Sequence, residues 1–259
     1  MAWDPGQYLK FSDHRLRPAI DLLARVPLAA PAWVVDLGAG SGSATRLLRR
    51  RWPEARIVGI ENSAEMLAAA DDAADGIEWR QTDIAAWAAD ANADRVDLVY
   101  SNAALHWLPD HAGLFPRLMA RLAPGGVLAV QMPRNFTEPS HTAVAEAARA
   151  GPWRDRLAPL LKPPPVAEPA FYHDLLAPLA ARLEIWETRY FQVLEGENPV
   201  KQWTKGTWLK PFLEALDEPE RSGFEDAYGR LVAAAYPRGR DGRTLFPFRR
   251  LFIVALAPA

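Results

Sequence analysis

Between residues 33 and 131 the chain alternates short apolar runs with longer segments whose apolar residues recur every three to four positions. Val34, Val35 and Leu37 make the first run, and Ser43–Trp52 follows with helical spacing. Arg56-Ile-Val-Gly-Ile60 makes the second, ending in Glu61, after which Ser63 with Glu65 and Met66 marks a helix start. Ile77-Glu-Trp-Arg80 and Arg95-Val-Asp-Leu-Val-Tyr100 read as the third and fourth strands. An amphipathic helix is predicted over Asp110–Leu122, closed by Pro124-Gly125-Gly126, with a fifth strand over Val127–Gln131. Apolar runs without polar alternation suit strands buried on both faces, and strands alternating with helices suit a parallel sheet.

Beyond residue 135 the pattern changes. Pro152–Pro169 is proline-rich and reads as a stiff loop between helices; Phe171-Tyr172 opens another helix. Leu183–Leu194 reads as a long sixth strand, 198–238 as helical, and Leu251–Leu256 as the last strand. The expected fold class is α/β: a doubly wound, seven-stranded, mostly parallel sheet, Rossmann-like, with helical lid insertions. The expected organisation is one structural domain. It comprises an N-terminal helical arm over 1–30, a binding core over 31–135, and the remaining strands over 136–259, with lid segments at about 136–170 and 198–248.

The chemistry concentrates at the first strand end. Asp36-Leu37-Gly38-Ala39-Gly40-Ser41-Gly42 joins the strand to the helix, so glycines let backbone approach a ligand and a helix start offers free N–H groups. The third glycine comes one place earlier than in the dinucleotide fingerprint. Asp36 at the strand end would oppose a pyrophosphate and suit a cationic ligand. S-adenosylmethionine carries an ammonium and a sulfonium beside its adenosine. The D-x-G-x-G-x-G pattern resembles motif I of the class I S-adenosylmethionine-dependent methyltransferases. A tight turn without a cofactor is the plainer alternative.

Other strand ends supply the remaining candidates. Glu61, about 20 residues past the loop, is placed to accept from ribose hydroxyls, with Asn62 and Met66 bordering the adenosine. Thr82, Asp83 and Ile84 suit the adenine, Asp83 by accepting from its amine and Ile84 by packing on the ring; Asp83 also suits a helix cap. Asn102 and Ala103 leave the fourth strand next to the glycine loop, with His106 and Trp107 on the substrate side. Tyr8 and Phe11 in the arm either close over the cofactor or pack the arm onto the core. No residue is assigned a catalytic role beyond positioning, for which Tyr8, Trp107 and His106 are the candidates, and no metal is expected.

Composition removes several classes. With 259 residues, 49% hydrophobic and 24% charged, the chain is ordinary globular material. It has no cysteine, which excludes disulfides and thiolate metal sites. A net charge of -2 with no basic stripe argues against a nucleic-acid partner. No apolar run reaches membrane-span length, and no basic-then-apolar signal pattern opens the chain, so no membrane partner and a cytoplasmic location are expected. Oligomeric state is not legible.

Further stretches carry a closer resemblance. Asp4-Pro5, Tyr8-Leu9, Phe11-Ser12, Arg17-Pro18-Ala19 and Leu22-Leu-Ala-Arg-Val-Pro-Leu28 are similar to the bacterial trans-aconitate 2-methyltransferases. So are Asn102-Ala103, Trp107-Leu-Pro-Asp-His111, Gly126-Val-Leu-Ala-Val-Gln-Met-Pro133 and Arg250-Leu-Phe-Ile-Val-Ala255. The departures lie mainly in 136–170 and 198–248. The resemblance implies S-adenosylmethionine as cofactor, S-adenosylhomocysteine as product and monomethyl esterification of a small tricarboxylate. Its carboxylates would be met by Arg17, Gln131, Arg134, Tyr172 and Arg250. Three alternatives stay open: methylation of another small acid, a non-catalytic regulator that binds S-adenosylmethionine, and a nicotinamide-dependent dehydrogenase, against which Asp36 speaks.

Overall fold

The computed structural model describes residues 16–70, 75–90 and 94–259. In chain order the elements are α1 (Arg17–Ala24), β1 (Trp33–Leu37), α2 (Ser43–Arg51), β2 (Arg56–Glu61), α3 (Ala64–Ala70), β3 (Glu78–Gln81), α4 (Ile84–Ala89), β4 (Val96–Asn102), α5 (His111–Ala120) and β5 (Leu122–Pro133). Then come α6 (Pro139–Ala150), α7 (Arg154–Leu157), α8 (Pro169–Leu176), β6 (Arg182–Leu194), α9 (Pro199–Lys205), α10 (Lys210–Glu214), α11 (Glu220–Ala235) and β7 (Thr244–Leu256).

The strands form one seven-stranded sheet in the order β3-β2-β1-β4-β5-β7-β6. β1 pairs in parallel with β2 and β4, β2 with β3, and β4 with β5, while β7 runs antiparallel to β5. The strand order reverses direction between β1 and β4, so those two carboxyl ends border the crevice where ligands of such sheets bind. β1 is buried from Val34 to Leu37. That explains its unbroken apolar run and makes the carboxylate of Asp36 the exception in it.

Chain contacts divide the protein into two compact units, where one domain with lid segments is the sequence expectation. The first holds residues 1–133, 167–188 and 250–259; the second holds 134–166 and 189–249. The second has a core of its own, built from Val144, Trp153, Leu157, Phe212, Phe224, Tyr228, Val232 and Phe246, among others. Within it Tyr228 Oη donates to Ser140 O at 2.9 Å and lies 2.8 Å from Thr204 Oγ1. Sequence patterning does not show this core, because its residues come from two segments separated by α8 and half of β6.

Three boundaries differ from expectation. β4 continues to Asn102, which places Asn102 on a strand rather than in a loop. β5 starts at Leu122, which pairs with Val96, so the Pro124-Gly125-Gly126 turn signal sits inside an irregular strand. Gly125 there has φ +71 and donates to Pro258 O at 2.9 Å, which gives the break a partner in the chain's last residues. The stretch expected as a loop from Pro152 contains α7 and a 3-10 turn over Ala158–Leu160. It is held by Leu157 in the core and by Arg156, which bonds Glu220 and Asp217.

Candidate functional site

Asp36 lies between the two strands it pairs with, opposite Gly59 on one side and Tyr100 on the other. It is 1% exposed, and its Oδ2 accepts from Thr45 Oγ1 at 2.6 Å. Burial pushes its pKa up to about 7; the Thr45 hydrogen bond pulls against that, and the nearby Glu61 carboxylate adds to it. Thr45 is the site residue that sequence reasoning missed. Its signal is a hydroxyl in the first turn of α2, the helix that starts just after Gly42.

The glycines then do two different things. Gly38 has φ +74, and a Cβ there would stand 2.2 Å from Ala104 Cβ, so the segment after β4 is pressed against the loop. Gly40 has φ +55 with nothing within 4 Å of its Cβ position, so its backbone faces open space. Gly40 N–H donates to Glu61 Oε2 at 3.0 Å, while Glu61 Oε1 accepts from the N–H groups of Asn62 and Ser63, each at 2.9 Å. The β2 carboxylate is thereby fixed beside the loop. Ala39 N–H and Thr82 N–H reach Ile60 O and Glu61 O at 2.9 and 3.1 Å, and Gln81 Nε2 reaches Asn62 O at 3.1 Å. Ile84 is buried with its Cδ1 3.6 Å from the Gly38 Cβ position. Asp83 caps α4 by accepting from Ala86 N at 2.9 Å and stays exposed, as does Met66. Asp36, Gly38, Ala39, Gly40, Glu61, Asn62, Thr82 and Ile84 therefore share one crevice rim.

On the other side of the loop, β4, β5 and β7 bring polar groups into a buried row. Asn102 pairs in register with Gln131, and Gln131 with Phe252, two residues from Arg250. Arg250 Nη1 donates to Gln131 Oε1 at 3.3 Å; both are buried. Ala103 has φ +56 and donates to Gln131 O at 2.9 Å, which turns the chain back toward the glycine loop. His106 follows on a 3-10 turn, 8% exposed, its ring centroid 4.5 Å from that of Trp107 and tilted 41° to it; Trp107 is 65% exposed. Burial lowers the His106 pKa to about 3, with Arg250 and His111 adding to the effect, so the ring is neutral. Tyr100 Oη donates to Ala19 O at 2.7 Å, which ties the first turn of α1, where Arg17 stands exposed, to β4 two residues before Asn102.

Two other nominated residues stand elsewhere. Tyr172 is fully buried; its hydroxyl lies 2.7 Å from His111 Nδ1 and accepts from Ala167 N at 3.2 Å, so it is engaged in packing α8 against α5. Arg134 is buried in the second unit, where its backbone N–H donates to Arg249 O at 2.9 Å. Tyr8 and Phe11 lie outside the described residues.

A family model described as a methyltransferase domain matches residues 34–126, the stretch from β1 to the start of β5. A trans-aconitate 2-methyltransferase of Azoarcus sp. (strain BH72) is 53% identical over 98% of this chain and 98% of its own. Its namesake in Rhodopseudomonas palustris (strain BisB18) is 46% identical, again over 98% of both chains. This chain belongs to the trans-aconitate 2-methyltransferase family. Identity at that level runs through both units of this methyltransferase, not through the glycine loop alone. Distant solved structures share its fold. Phosphoethanolamine N-methyltransferase 2 of Haemonchus contortus superposes with a TM-score of 0.55 at 15% identity, over 93% of this chain and 52% of that one. The YcgJ protein of Bacillus subtilis superposes with a TM-score of 0.56 at 13% identity, over 93% and 97%.

Proposed function

We propose that this methyltransferase moves the methyl group of S-adenosylmethionine onto a carboxylate of trans-aconitate, giving a monomethyl ester and S-adenosylhomocysteine. The observation that carries the reading is near-full-length identity to enzymes of that name, spanning both units. The site fits the cofactor. Asp36 is a buried carboxylate that accepts from a neutral hydroxyl, that of Thr45, so a cationic ligand supplies the charge it lacks. Gly40 leaves room for backbone contact, and Glu61 keeps one acceptor site on Oε2 for a hydroxyl donor beside it.

Bound S-adenosylmethionine supplies an electrophilic methyl carbon on a positively charged sulfur. The acceptor carboxylate is ionised at neutral pH, so no side chain has to remove a proton. An oxygen–carbon bond forms, the carbon–sulfur electron pair stays on sulfur, and anion and cation become two neutral groups. The chain's part is placement and exclusion of water, for which an effective molarity worth up to about 7–11 kcal/mol is available. Asp36 and Glu61 orient the donor side. Arg250 and Gln131 offer the acceptor a buried cation and an amide, and His106 and Trp107 follow Ala104, which touches the glycine loop.

The test is product mass and ester position after incubation with trans-aconitate and labelled cofactor. A panel of di- and tricarboxylates run alongside identifies any better acceptor. No labelled ester from any acid, with cofactor binding intact by calorimetry, would leave the regulator reading instead.

A further inference from the structure

Among the described residues, the buried side-chain atoms without a hydrogen-bond partner include three on β4, β5 and the turn after β4: Asn102 Oδ1, His106 Nδ1 and Gln131 Nε2. Such atoms cost stability unless a ligand satisfies them. They lie in a definite order. Ala104 touches Gly38, so Asn102 and His106 on either side of it are nearest the donor loop. Gln131 is one strand further on β5, and Arg250 one strand beyond that on β7. At about 4.8 Å per strand, the row from β4 to β7 spans about 10 Å.

The row is also graded in charge. His106 is neutral because it is buried next to a permanent cation, and the amides of Asn102 and Gln131 carry no charge. Arg250 at the far end is cationic. Its guanidinium engages Gln131 Oε1, which leaves the Gln131 Nε2 donor without a partner.

We propose that this row measures the spacing between two carboxylates of the acceptor: Arg250 holds one that does not react, and the neutral donors His106 Nδ1–H and Gln131 Nε2–H present the one that does. The assignment rests on the function proposed above and adds which residue sets affinity and which sets rate. A carboxylate paired with a full cation has its lone pairs engaged and its charge offset, so it is a poorer nucleophile. A neutral donor orients an oxygen and leaves its negative charge in place. Arg250 is therefore a specificity residue, and His106, which carries its proton on Nδ1, and Gln131 are catalytic residues.

The experiment is steady-state kinetics of full-length protein with trans-aconitate and with a monocarboxylate acceptor, crotonate. His106→Ala lowers kcat at least about tenfold with KM changed less than threefold. His106→Asn, which puts an amide nitrogen where Nδ1 sits, returns kcat to within about threefold of wild type. Arg250→Met raises the trans-aconitate KM at least about tenfold, spares kcat, and removes the KM advantage of trans-aconitate over crotonate. Arg250→Lys, which keeps the charge without the fork, falls between. Melting curves accompany each variant, and the two conservative variants carry the test where the larger changes prevent folding. If both positions move KM and kcat alike, or His106→Asn behaves as His106→Ala, the assignment is overturned while the function stands. If wild type makes no ester of trans-aconitate, both fall.

Discussion

With the cofactor placed as proposed above, Asp36 couples its binding to a proton. In the protein without cofactor its carboxyl has a pKa raised to about 7, by burial first and by Glu61 after it. A ligand bearing a sulfonium and an ammonium selects the ionised form. Affinity then scales with the ionised fraction, about one tenth at pH 6 and about nine tenths at pH 8, a change of about tenfold or about 1.4 kcal/mol. At pH 7 about half a proton leaves per cofactor bound. Calorimetry at pH 6, 7 and 8, in pairs of buffers with different ionisation enthalpies, measures both quantities. Folding stability follows the opposite sense. The folded pKa lies above the unfolded 3.8, so the burden is absent below about pH 4, grows as pH rises, and is complete above about pH 7. The shift corresponds to about 4 kcal/mol as an order of magnitude. Asp36→Asn should therefore raise the melting temperature of cofactor-free protein at pH 8, have little effect at pH 4, and abolish cofactor binding at both. Cofactor affinity that is flat from pH 6 to 8 with no proton release, or an Asn variant whose gain over wild type is no larger at pH 8 than at pH 4, would refute the reasoning.

Other positions give separate tests. Gly38→Ala combines a left-handed backbone with a Cβ 2.2 Å from Ala104, so urea unfolding should show a loss of about 2–5 kcal/mol. Gly40→Ala meets no atom within 4 Å and should cost only the backbone preference of about 1–2 kcal/mol, while impairing cofactor binding. Glu61→Gln removes the charge that accepts from Gly40, Asn62 and Ser63; isothermal titration should show cofactor affinity down at least about tenfold, each charged hydrogen bond being worth about 1.5–3 kcal/mol. Phe224→Ala opens the core of the second unit, where its ring meets Trp153 and Phe212, and denaturation should register about 3–5 kcal/mol.

Much of the donor half was legible in the chain. A buried parallel strand is apolar throughout, so Asp36 within Val34–Leu37 could be singled out without coordinates. The turn glycines are local too, because positive φ is a property of one residue. The places of Glu61 and Thr82 on the crevice rim follow from knowing that ligands gather at strand carboxyl ends, whereas Asp83 caps α4. Tyr172 was a different matter: an aromatic hydroxyl near a supposed lid looks like a substrate contact, yet it is enclosed with His111. Thr45 went unnoticed because a hydroxyl in a helix's first turn is common, and only its 2.6 Å contact marks it.

The sequence alone settles what local periodicity and local backbone preference can encode: seven strands, their alternation with helices, and a loop suited to a cation. What it cannot encode is which side chains from distant strands end up adjacent. Gln131 and Arg250 are separated by 119 positions and meet because β7 enters the sheet antiparallel beside β5. Likewise, the second unit gathers its core from residues 134–166 and 189–249, segments that carry no common period. Burial, and with it the pKa values of Asp36 and His106, is a property of that assembled packing, since desolvation depends on every neighbour at once.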